Sequence, residues 1–388
     1  MRDIDILINH YCPSGVEYKT IEDVASFRRG SFPQPYTNQL FYGGVDAMPF
    51  VQVADVSDDK FVLNETTKQT ISIIAQSQSV FVPSGTVIVT LQGTIGRVAI
   101  TQYDSYVDRT LAIFTSFKIK DINKKYFAYV LKHKFDFEKK FARGTTLKTI
   151  TKEEFSQFEI PVPPLPVQEE IMRVLDTFTE LQAELQAELQ KRLQQYNFYR
   201  EKLLSFDGRN DVEWKTISSV AQVCRGVRVV KSQLSNEGYP VYQNCLTPMG
   251  YFSKTNCPGG TPFVICGGAA GNVGYTDVDC WAADDCEYIV SGQKISNRFI
   301  YHCLMVKKDY LSSKVRKASI PRLSPSVIKD LVIPVPSLTE QHKIVDILDR
   351  FDTLTNDLTA GLPAEIEKRR QQYEFYRDKL LTFKRKGA

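Results

Sequence analysis

Two stretches of this 388-residue chain repeat each other, and this duplication constrains the fold more than any other feature. Residues 160–206 return in altered form at 333–383, where QQYNFYREKLLSF becomes QQYEFYRDKLLTF. A shorter echo lies upstream, because VEYKTIEDVASFRRG at 16–30 returns as VEWKTISSVAQVCRG at 212–226. A period of this length indicates that one unit, a globular stretch followed by a long helix, occurs twice. Such a chain is suited to contact two similar partners or two half-sites.

Length and composition narrow the class of protein. A chain of 388 residues can bury two or more separate cores. It has no run of about 18 uncharged apolar residues, so we expect no membrane span. Two acids precede the first apolar stretch, unlike a secretory signal. Eight cysteines at irregular spacings, without a CxxC pair, indicate reduced thiols. These features predict a cytoplasmic protein.

The net charge of +4 is unevenly distributed along the chain. Residues 13–158 carry +3 and residues 208–330 carry +5, whereas residues 159–207 carry −4. Positive charge therefore lies on the globular stretches, where a polyanion such as nucleic acid would bind. The excess is small, so it favours a polyanionic partner without requiring one.

Two long apolar stripes predict helices that pair along a seam. Within 171–206 and 344–383, apolar residues recur at three-to-four spacing among Glu, Gln, Lys and Arg. Two narrow stripes in one chain most simply bury each other as a coiled coil, and an antiparallel pair would place the globular domains at opposite ends. The alternative is that the stripes belong to ordinary domain cores. The residues predicted for the seam are Leu175, Phe178, Leu185, Tyr196, Tyr199, Leu348, Phe351, Leu358, Tyr373 and Tyr376.

The second helical copy carries four extra residues. The isoleucines that open the two copies lie 173 residues apart, whereas Tyr196 and Tyr373 lie 177 apart. The insertion falls around Gly361-Leu362-Pro363, and proline cannot donate to a helix ladder. We therefore expect a kink there, or a helix that restarts with Pro363 at its first position.

The globular stretches have the pattern of mixed α/β domains. Residues 86–100 are two apolar runs about a glycine turn, and 263–276 occupy the same place in the second unit. Residues 123–140 predict an amphipathic helix, with 297–314 as its counterpart. The predicted fold class is α+β, with two mixed α/β domains joined by two long helices in an antiparallel coiled coil and a pseudo-two-fold internal repeat. The predicted boundaries are 1–158 for the first domain, 159–207 for the first spacer helix, 208–330 for the second domain and 331–388 for the second spacer helix.

The sequence contains no motif that would support catalysis. Gly93-Thr94-Ile95-Gly96 lacks the Gly-Lys-Ser/Thr of a phosphate loop, and no glycine-rich cofactor loop or Asn/Asp-Pro-Pro-aromatic motif of a methyltransferase is present. Asp121 with Glu138 and the following lysines superficially forms a nuclease pattern, which occurs by chance in any lysine-rich helix. The histidines and cysteines show no ligand spacing, so Cys280 and Cys286 are predicted to be core thiols. We expect no metal site, no cofactor and no catalytic residue in this chain.

Six motifs follow one another in a fixed order. They are INHYCPSGVEYKTI (8–21), GTIGRVAI (93–100), IPVPPLPVQEEI (160–171), QQYNFYREKLLSF (194–206), IPVPSLTEQHKIV (333–345) and GLPAEIEKRRQQYEFYRDKLLTF (361–383). Because these motifs occur in this order and are duplicated, nearly the whole chain resembles the specificity subunit of type I restriction–modification enzymes. One departure is that residues 261–276 lack a literal GTIG.

The resemblance implies a function in DNA recognition. The two globular units would be target-recognition domains, each contacting one half of a split, asymmetric sequence in double-stranded DNA. The helices would fix the gap between the half-sites and, through the seam residues named above, dock two methyltransferase (modification) subunits, to which restriction/translocase subunits attach. S-adenosylmethionine, Mg and ATP would then bind only to those partners, and this chain would be non-catalytic.

Base contacts require Arg, Lys, Asn or Gln held on a fixed scaffold. Residues of these types at equal positions in both units are the candidates, although each could equally be a solvated or salt-bridged surface residue. The DNA-binding candidates are Arg28, Arg29, Arg97, Arg143, Lys148, Arg225, Arg228, Asn272, Arg316 and Arg322. A function of another class is also open, namely a non-enzymatic two-headed coiled-coil adaptor with no DNA role.

Overall fold

The structure, a computed structural model, describes residues 2–58, 60–141 and 150–387. They are divided between two compact units, unit 1 (residues 1–183 and 368–388) and unit 2 (184–367). Within the described ranges, no helix combines the length and apolar character that a membrane span requires.

Unit 1 contains three small sheets and the helices that cover them. Its helices are α1 (Arg2–Tyr11), α2 (Ile21–Val24), α3 (Lys124–Phe141), α4 (Lys152–Ser156) and the first part of α5 (Leu165–Ser205). Its strands are β1 (Tyr18–Thr20), β2 (Ala25–Arg29), β3 (Met48–Val51), β4 (Gln69–Ile71), β5 (Val80–Val82), β6 (Val87–Thr90), β7 (Val98–Ile100), β8 (Ser105–Val107), β9 (Leu111–Phe117) and β10 (Glu159–Pro161). The strand orders are β2-β9-β6-β7, β4-β3-β8-β5 and the pair β1-β10.

Unit 2 repeats this plan with fewer strands. Its strands are β11 (Glu213–Thr216), β12 (Ala221–Arg225), β13 (Tyr239–Tyr242), β14 (Tyr251–Phe252), β15 (Thr261–Ile265), β16 (Val273–Thr276), β17 (Trp281–Ala282), β18 (Cys286–Ser291) and β19 (Val332–Val335). Its helices are α6 (Ile217–Val220), α7 (Asn297–Val306), α8 (Lys308–Ser313), α9 (Pro325–Lys329), α10 (Leu338–Asn356) and the start of α11 (Leu362–Leu380). The strand orders are β12-β18-β15-β16, β14-β13-β17 and the pair β11-β19.

The predicted glycine turn is present in both units with the same geometry. In unit 1 it joins the antiparallel strands β6 and β7, and in unit 2 it joins β15 and β16. Gly96 and Gly271 have φ of +80° and +88°, a region that glycine adopts without strain. A Cβ on Gly96 would lie 2.6 Å from the Phe135 side chain, so the turn also needs the missing side chain. The turn in unit 2 therefore keeps the conformation although its sequence lacks GTIG.

The two helical copies differ as the insertion predicts. Helix α5 is continuous for 41 residues, whereas the second copy is divided into α10 and α11 by residues 357–361. The helix restarts at Leu362, with Pro363 as its second residue, where the absent N–H costs no helical bond. Gly361 has no room for a side chain, because a Cβ there would lie 2.4 Å from the Thr353 carbonyl oxygen. Leu358 is a correction to the predicted stripe, since it lies in the interruption and is 79% exposed.

The remaining stripe residues pack partly in the seam and partly in the domain cores. In unit 1, the Phe178 and Tyr376 rings stack with centroids 5.4 Å apart. In unit 2, Phe351 stacks against Tyr199 at 5.6 Å and against Tyr196 at 6.1 Å. Other members are buried among domain residues, as Leu175 is in unit 1. The stripe thus serves as coiled-coil seam and as domain core, the two interpretations that the sequence left open.

Candidate nucleic-acid interface

Four cations of unit 2 line one cavity of about 410 Å³. Three of them are predicted candidates, and the fourth precedes Arg316 by two residues. They are Arg225, Lys314, Arg316 and Arg322. Positions more than 90 residues apart in sequence therefore converge on a single concave surface.

The backbone holds these cations in place. Arg225 ends β12, and the following Gly226 allows close approach of the chain, because a Cβ there would lie 2.0 Å from the Ala283 carbonyl oxygen. Arg316 and Arg322 face each other across an isolated antiparallel bridge. The N–H of Arg316 donates to the carbonyl of Arg322 at 2.8 Å. A second bridge joins Arg322 to Gly267, close to the glycine turn.

The cavity is also lined by Asp284 and Glu287, so its four cations outnumber its two carboxyl groups. Arg322 donates to Asp285 at 2.8 Å. Burial raises the pKa of Glu287, although the positive charges of Arg225 and Lys329 oppose this shift. Within the described ranges, neither Arg225 nor Arg316 forms an ion pair. Their guanidinium groups therefore have donors available for a polyanion.

In unit 1 the structure describes only part of the predicted set. Arg143 and Lys148 lie outside the described residues. Arg28 is exposed, whereas the Arg29 guanidinium donates to the carbonyl oxygens of Ile150 at 2.7 Å and Arg109 at 3.3 Å. Arg29 is the counterpart of Arg225 in the repeat, but two of its five donors are used within the domain.

Arg97 and its counterpart Asn272 differ in their surroundings. The Arg97 guanidinium forms two bonds with the Asp58 carboxylate, at 3.0 and 2.9 Å, and also reaches the Val56 carbonyl oxygen at 3.4 Å. Asn272 is half-buried at the end of the glycine turn of unit 2. Arg228 is exposed but does not line the cavity. These positions remain predicted DNA contacts, and Arg97 would have to leave Asp58 to make one.

Sequence reasoning missed two kinds of residue. Lys314 was omitted although it precedes Arg316 by only two residues. The buried glutamines Gln168 and Gln341 were also missed, although they recur 173 residues apart in the repeat. That spacing was the available signal, because it equals the spacing of the isoleucines that open the two copies. Among the residues that the structure describes, no three His, Cys, Asp or Glu side chains form a group that could hold a metal ion.

The repeated units correspond to a known protein family. The family model for the type I restriction modification DNA specificity domain matches residues 13–195 and again 210–368. The chain belongs to this family. The two matched segments together cover most of the chain, and each contains one glycine turn and one spacer segment.

Relatives in this specificity family are identical to the chain at about a third of the aligned positions. The specificity subunit of the type I restriction enzyme EcoR124I/EcoR124II of Escherichia coli is 32% identical over 263 residues, which cover 59% of the chain and 64% of the relative. A putative type I specificity subunit of Haemophilus influenzae is 34% identical over 63% of the chain and 68% of its own length. The chain thus matches less than two thirds of the length of the first relative.

Solved structures share the fold at low sequence identity. The S subunit of a type I restriction–modification system from M. genitalium superposes with a TM-score of 0.61 at 16% identity, covering 95% of the chain and 96% of the neighbour. A chain from a structure of complex assembly in the type I R-M system gives 0.67 at 14% identity, covering 95% and 98%. The predicted class, two mixed α/β domains with long coiled-coil helices, is therefore confirmed.

Proposed function

We propose that the chain is the sequence-specific DNA-recognition subunit of a type I restriction–modification complex. In this proposal, the globular part of each unit contacts one half of a bipartite, asymmetric site in duplex DNA. The spacer helices set the gap between the half-sites. The proposal rests on family membership, on the repeated frame, and on the cation cavity of unit 2.

The cavity is the observation that carries the proposal. Arg225, Arg316 and Arg322 present planar guanidinium groups, which match both phosphate oxygens and the acceptor pair of guanine in the major groove. Most contacts in such interfaces go to phosphate and position the protein, while a few go to base edges and give specificity. Arg225 and Arg316, which form no ion pair within the part of the chain that the structure describes, can make both kinds.

Catalysis and assembly belong, in this proposal, to partner subunits. The chain would position two methyltransferase subunits, and restriction/translocase subunits would join through them. The repeated QYxFYR motif supports two equivalent docking points. Phe198 and Phe375 occupy the same place in its two copies and are 58% and 63% exposed. Exposed aromatic side chains of this kind are common anchors at protein interfaces. S-adenosylmethionine, Mg and ATP would be bound by the partners.

Salt-dependent binding to duplex DNA tests the proposal. The wild-type chain, in complex with its methyltransferase subunits, is titrated against a duplex that contains the methylated site mapped in cells. Each phosphate contact releases counterions, so affinity should fall steeply with salt. Arg316→Ala should weaken binding by roughly 1–3 kcal/mol if it contacts a base. If it contacts phosphate, all sequences should weaken alike and the salt slope should flatten by about one.

The control replaces a cation outside the cavity. Arg350 is exposed on α10 and does not line the cavity. Arg350→Ala should leave both affinity and salt slope unchanged. A wild-type complex that shows no salt-dependent retention on duplex DNA would refute the DNA role and favour the two-headed adaptor.

A further inference from the structure

A buried glutamine joins the recognition domain of unit 1 to its spacer helix. Gln168, on α5, has no exposed surface. Its amide oxygen accepts the N–H of Asn123 at 2.9 Å, and its amide nitrogen donates to the carbonyl oxygens of Asp121 at 2.9 Å and Pro163 at 2.8 Å. Asp121 and Asn123 precede α3 of the recognition domain, whereas Gln168 belongs to the spacer helix. One donor and the acceptor of the side chain therefore bond to the recognition domain, while the other donor bonds within the spacer segment.

The same connection exists in unit 2. Gln341, on α10, is also fully buried. Its amide oxygen accepts the N–H of Ser296 at 2.9 Å, and its amide nitrogen donates to the carbonyl oxygens of Lys294 and Pro336, each at 2.9 Å. Every atom of this set lies 173 residues after its counterpart in unit 1. Identical bonding in two units with different interiors marks it as part of the repeated frame.

A carboxylate on the same helix makes a second connection. In unit 1, the Asp176 carboxylate forms an ion pair with the Lys125 ammonium at 2.6 Å and accepts a hydrogen bond from the Tyr129 hydroxyl at 3.3 Å. Both partners lie on α3 of the recognition domain. Asp176 follows Gln168 by eight residues, so the two connections are about 12 Å apart along the helix.

The carboxylate connection also recurs in unit 2, with different partners. The Asp349 carboxylate, on α10, bonds to the Arg298 guanidinium at 2.7 Å and to the His302 imidazole at 2.8 Å, and both of these residues lie on α7. Asp349 again follows the glutamine by eight residues. The position of the carboxylate is thus kept although the groups that bind it change from Lys and Tyr to Arg and His.

Two connections on one helix restrain rotation in a way that one cannot. Apolar packing, such as that of Ile171 and Leu175 in the core of unit 1, holds the domain against the helix, and two polar contacts about 12 Å apart add directional bonds that fix its angle. The size of such a domain puts its recognition surface roughly 15 Å from the helix. A tilt of about 13° would move that surface by about 3.4 Å, which is one base-pair step.

We infer that Gln168 and Gln341 are positioning residues that set the angle of each recognition domain on its own spacer helix, and so the fidelity of the gap between half-sites. This inference rests on the proposed function. It adds that the gap depends on these two joints as well as on helix length. Both glutamine side chains are fully buried and cannot reach a base, so base identity should not depend on them.

Mapping methylated sites in cells that carry the partner subunits tests this inference. Gln168→Met and Gln341→Met keep the shape of the side chain and remove its polar contacts. Each should leave both half-site sequences unchanged. Some methylated sites will have a gap one base pair longer or shorter than the wild-type gap. Each substitution should raise the ratio of these sites to sites with the wild-type gap by about five-fold, which corresponds to the loss of about one net hydrogen bond. Gln186→Met, at an exposed position on α5, is the matched control and should leave the ratio unchanged.

The outcomes separate positioning from stability and from the proposed function. If the variants lower the thermal midpoint and total methylation while the gap distribution stays as in wild type, the glutamines are only structural and the inference is wrong. If Gln168→Met yields no folded protein, Asp176→Asn decides, because Asp176 is partly exposed and its removal loosens the second connection. A wild-type chain without any bipartite methylation would refute the proposed function instead.

Discussion

Arg97 shows how a single cation can serve the fold of unit 1. Its guanidinium connects the glycine turn to Asp58 and to the Val56 carbonyl. We expect Arg97→Ala to lower the free energy of unfolding by about 1 kcal/mol, since the pair is bidentate but partly exposed. Urea titration of Arg97→Ala, Asp58→Ala and the double variant measures the coupling. If the three changes are additive and the methylated sequence relaxes instead, Arg97 contacts a base.

His302 should make the stability of unit 2 depend on pH. Burial lowers the pKa of His302 below its usual value of about 6.5, although its hydrogen bond with Asp349 opposes this shift. Because the folded pKa lies below the unfolded one, the unfolded chain binds more protons below about pH 6.5. The contribution of His302 to the free energy of unfolding is therefore present above that pH and is lost as the pH falls. Denaturant titrations between about pH 5 and 8 should show this slope.

Substitution identifies the residue responsible for that slope. His302→Gln should flatten the fall in stability at low pH, whereas His342→Gln, at an exposed position on α10, should not. An equal slope in wild type and His302→Gln would assign the titration to another group.

At the level of residues, the sequence located cations but not their partners. Repetition at equal positions singled out Arg225, Arg316 and Arg322, which the structure brings to one cavity. Repetition could not show that Arg29 and Arg97 are bound within unit 1, because those partners are distant in sequence and are set by tertiary packing. Gln168 escaped notice for the same reason, since its bonds are made only to backbone groups that composition does not reveal.

At the level of elements, hydrophobic period and glycine position predicted most of the frame. Helix α3 was expected at 123–140 and is found at Lys124–Phe141. The expected helix at 297–314 is divided at Lys307 into α7 and α8. The hydrophobic period also assigned Leu358 to the stripe. Four inserted residues add about one helical turn, so the three-to-four spacing of apolar residues continues in the sequence even where the helix is interrupted.

Helix α5 allows a direct test of whether the length of the spacer helix sets the gap between the half-sites. It is continuous through 181–187, so four inserted residues should add one turn, about 6 Å of rise. The preferred gap between half-sites should change by roughly two base pairs at ~3.4 Å each, with the same bases contacted. Methylome mapping measures the gap, and Glu184→Gln, an exposed change without insertion, is the control. An unchanged gap in the insertion variant would mean that helix length does not set it.

At the scale of the whole molecule, we expect each unit to recognise its half-site independently of the other. Their frames agree while their interiors differ, and only different domains can recognise an asymmetric site. We expect that replacing residues 31–140 with the same region of a relative changes one half-site, and that the half assigned to 227–313 is kept. Contributions of groups without shared contacts nearly add, so the affinities should combine independently. Methylome mapping of the exchange that shows both halves rewritten, or neither, would contradict this independence.

The glutamine joints have a consequence for how such a protein changes over generations. On the domain side, Gln168 and Gln341 bond only to main-chain atoms, which every amino acid other than proline supplies in full. Mutation or recombination can therefore alter many side chains of a recognition domain without loss of its bonds to the glutamine, although α3 or α7 must still supply a side chain that bonds to Asp176 or Asp349. In the proposed function, target preference can then change without a compensating substitution at either glutamine.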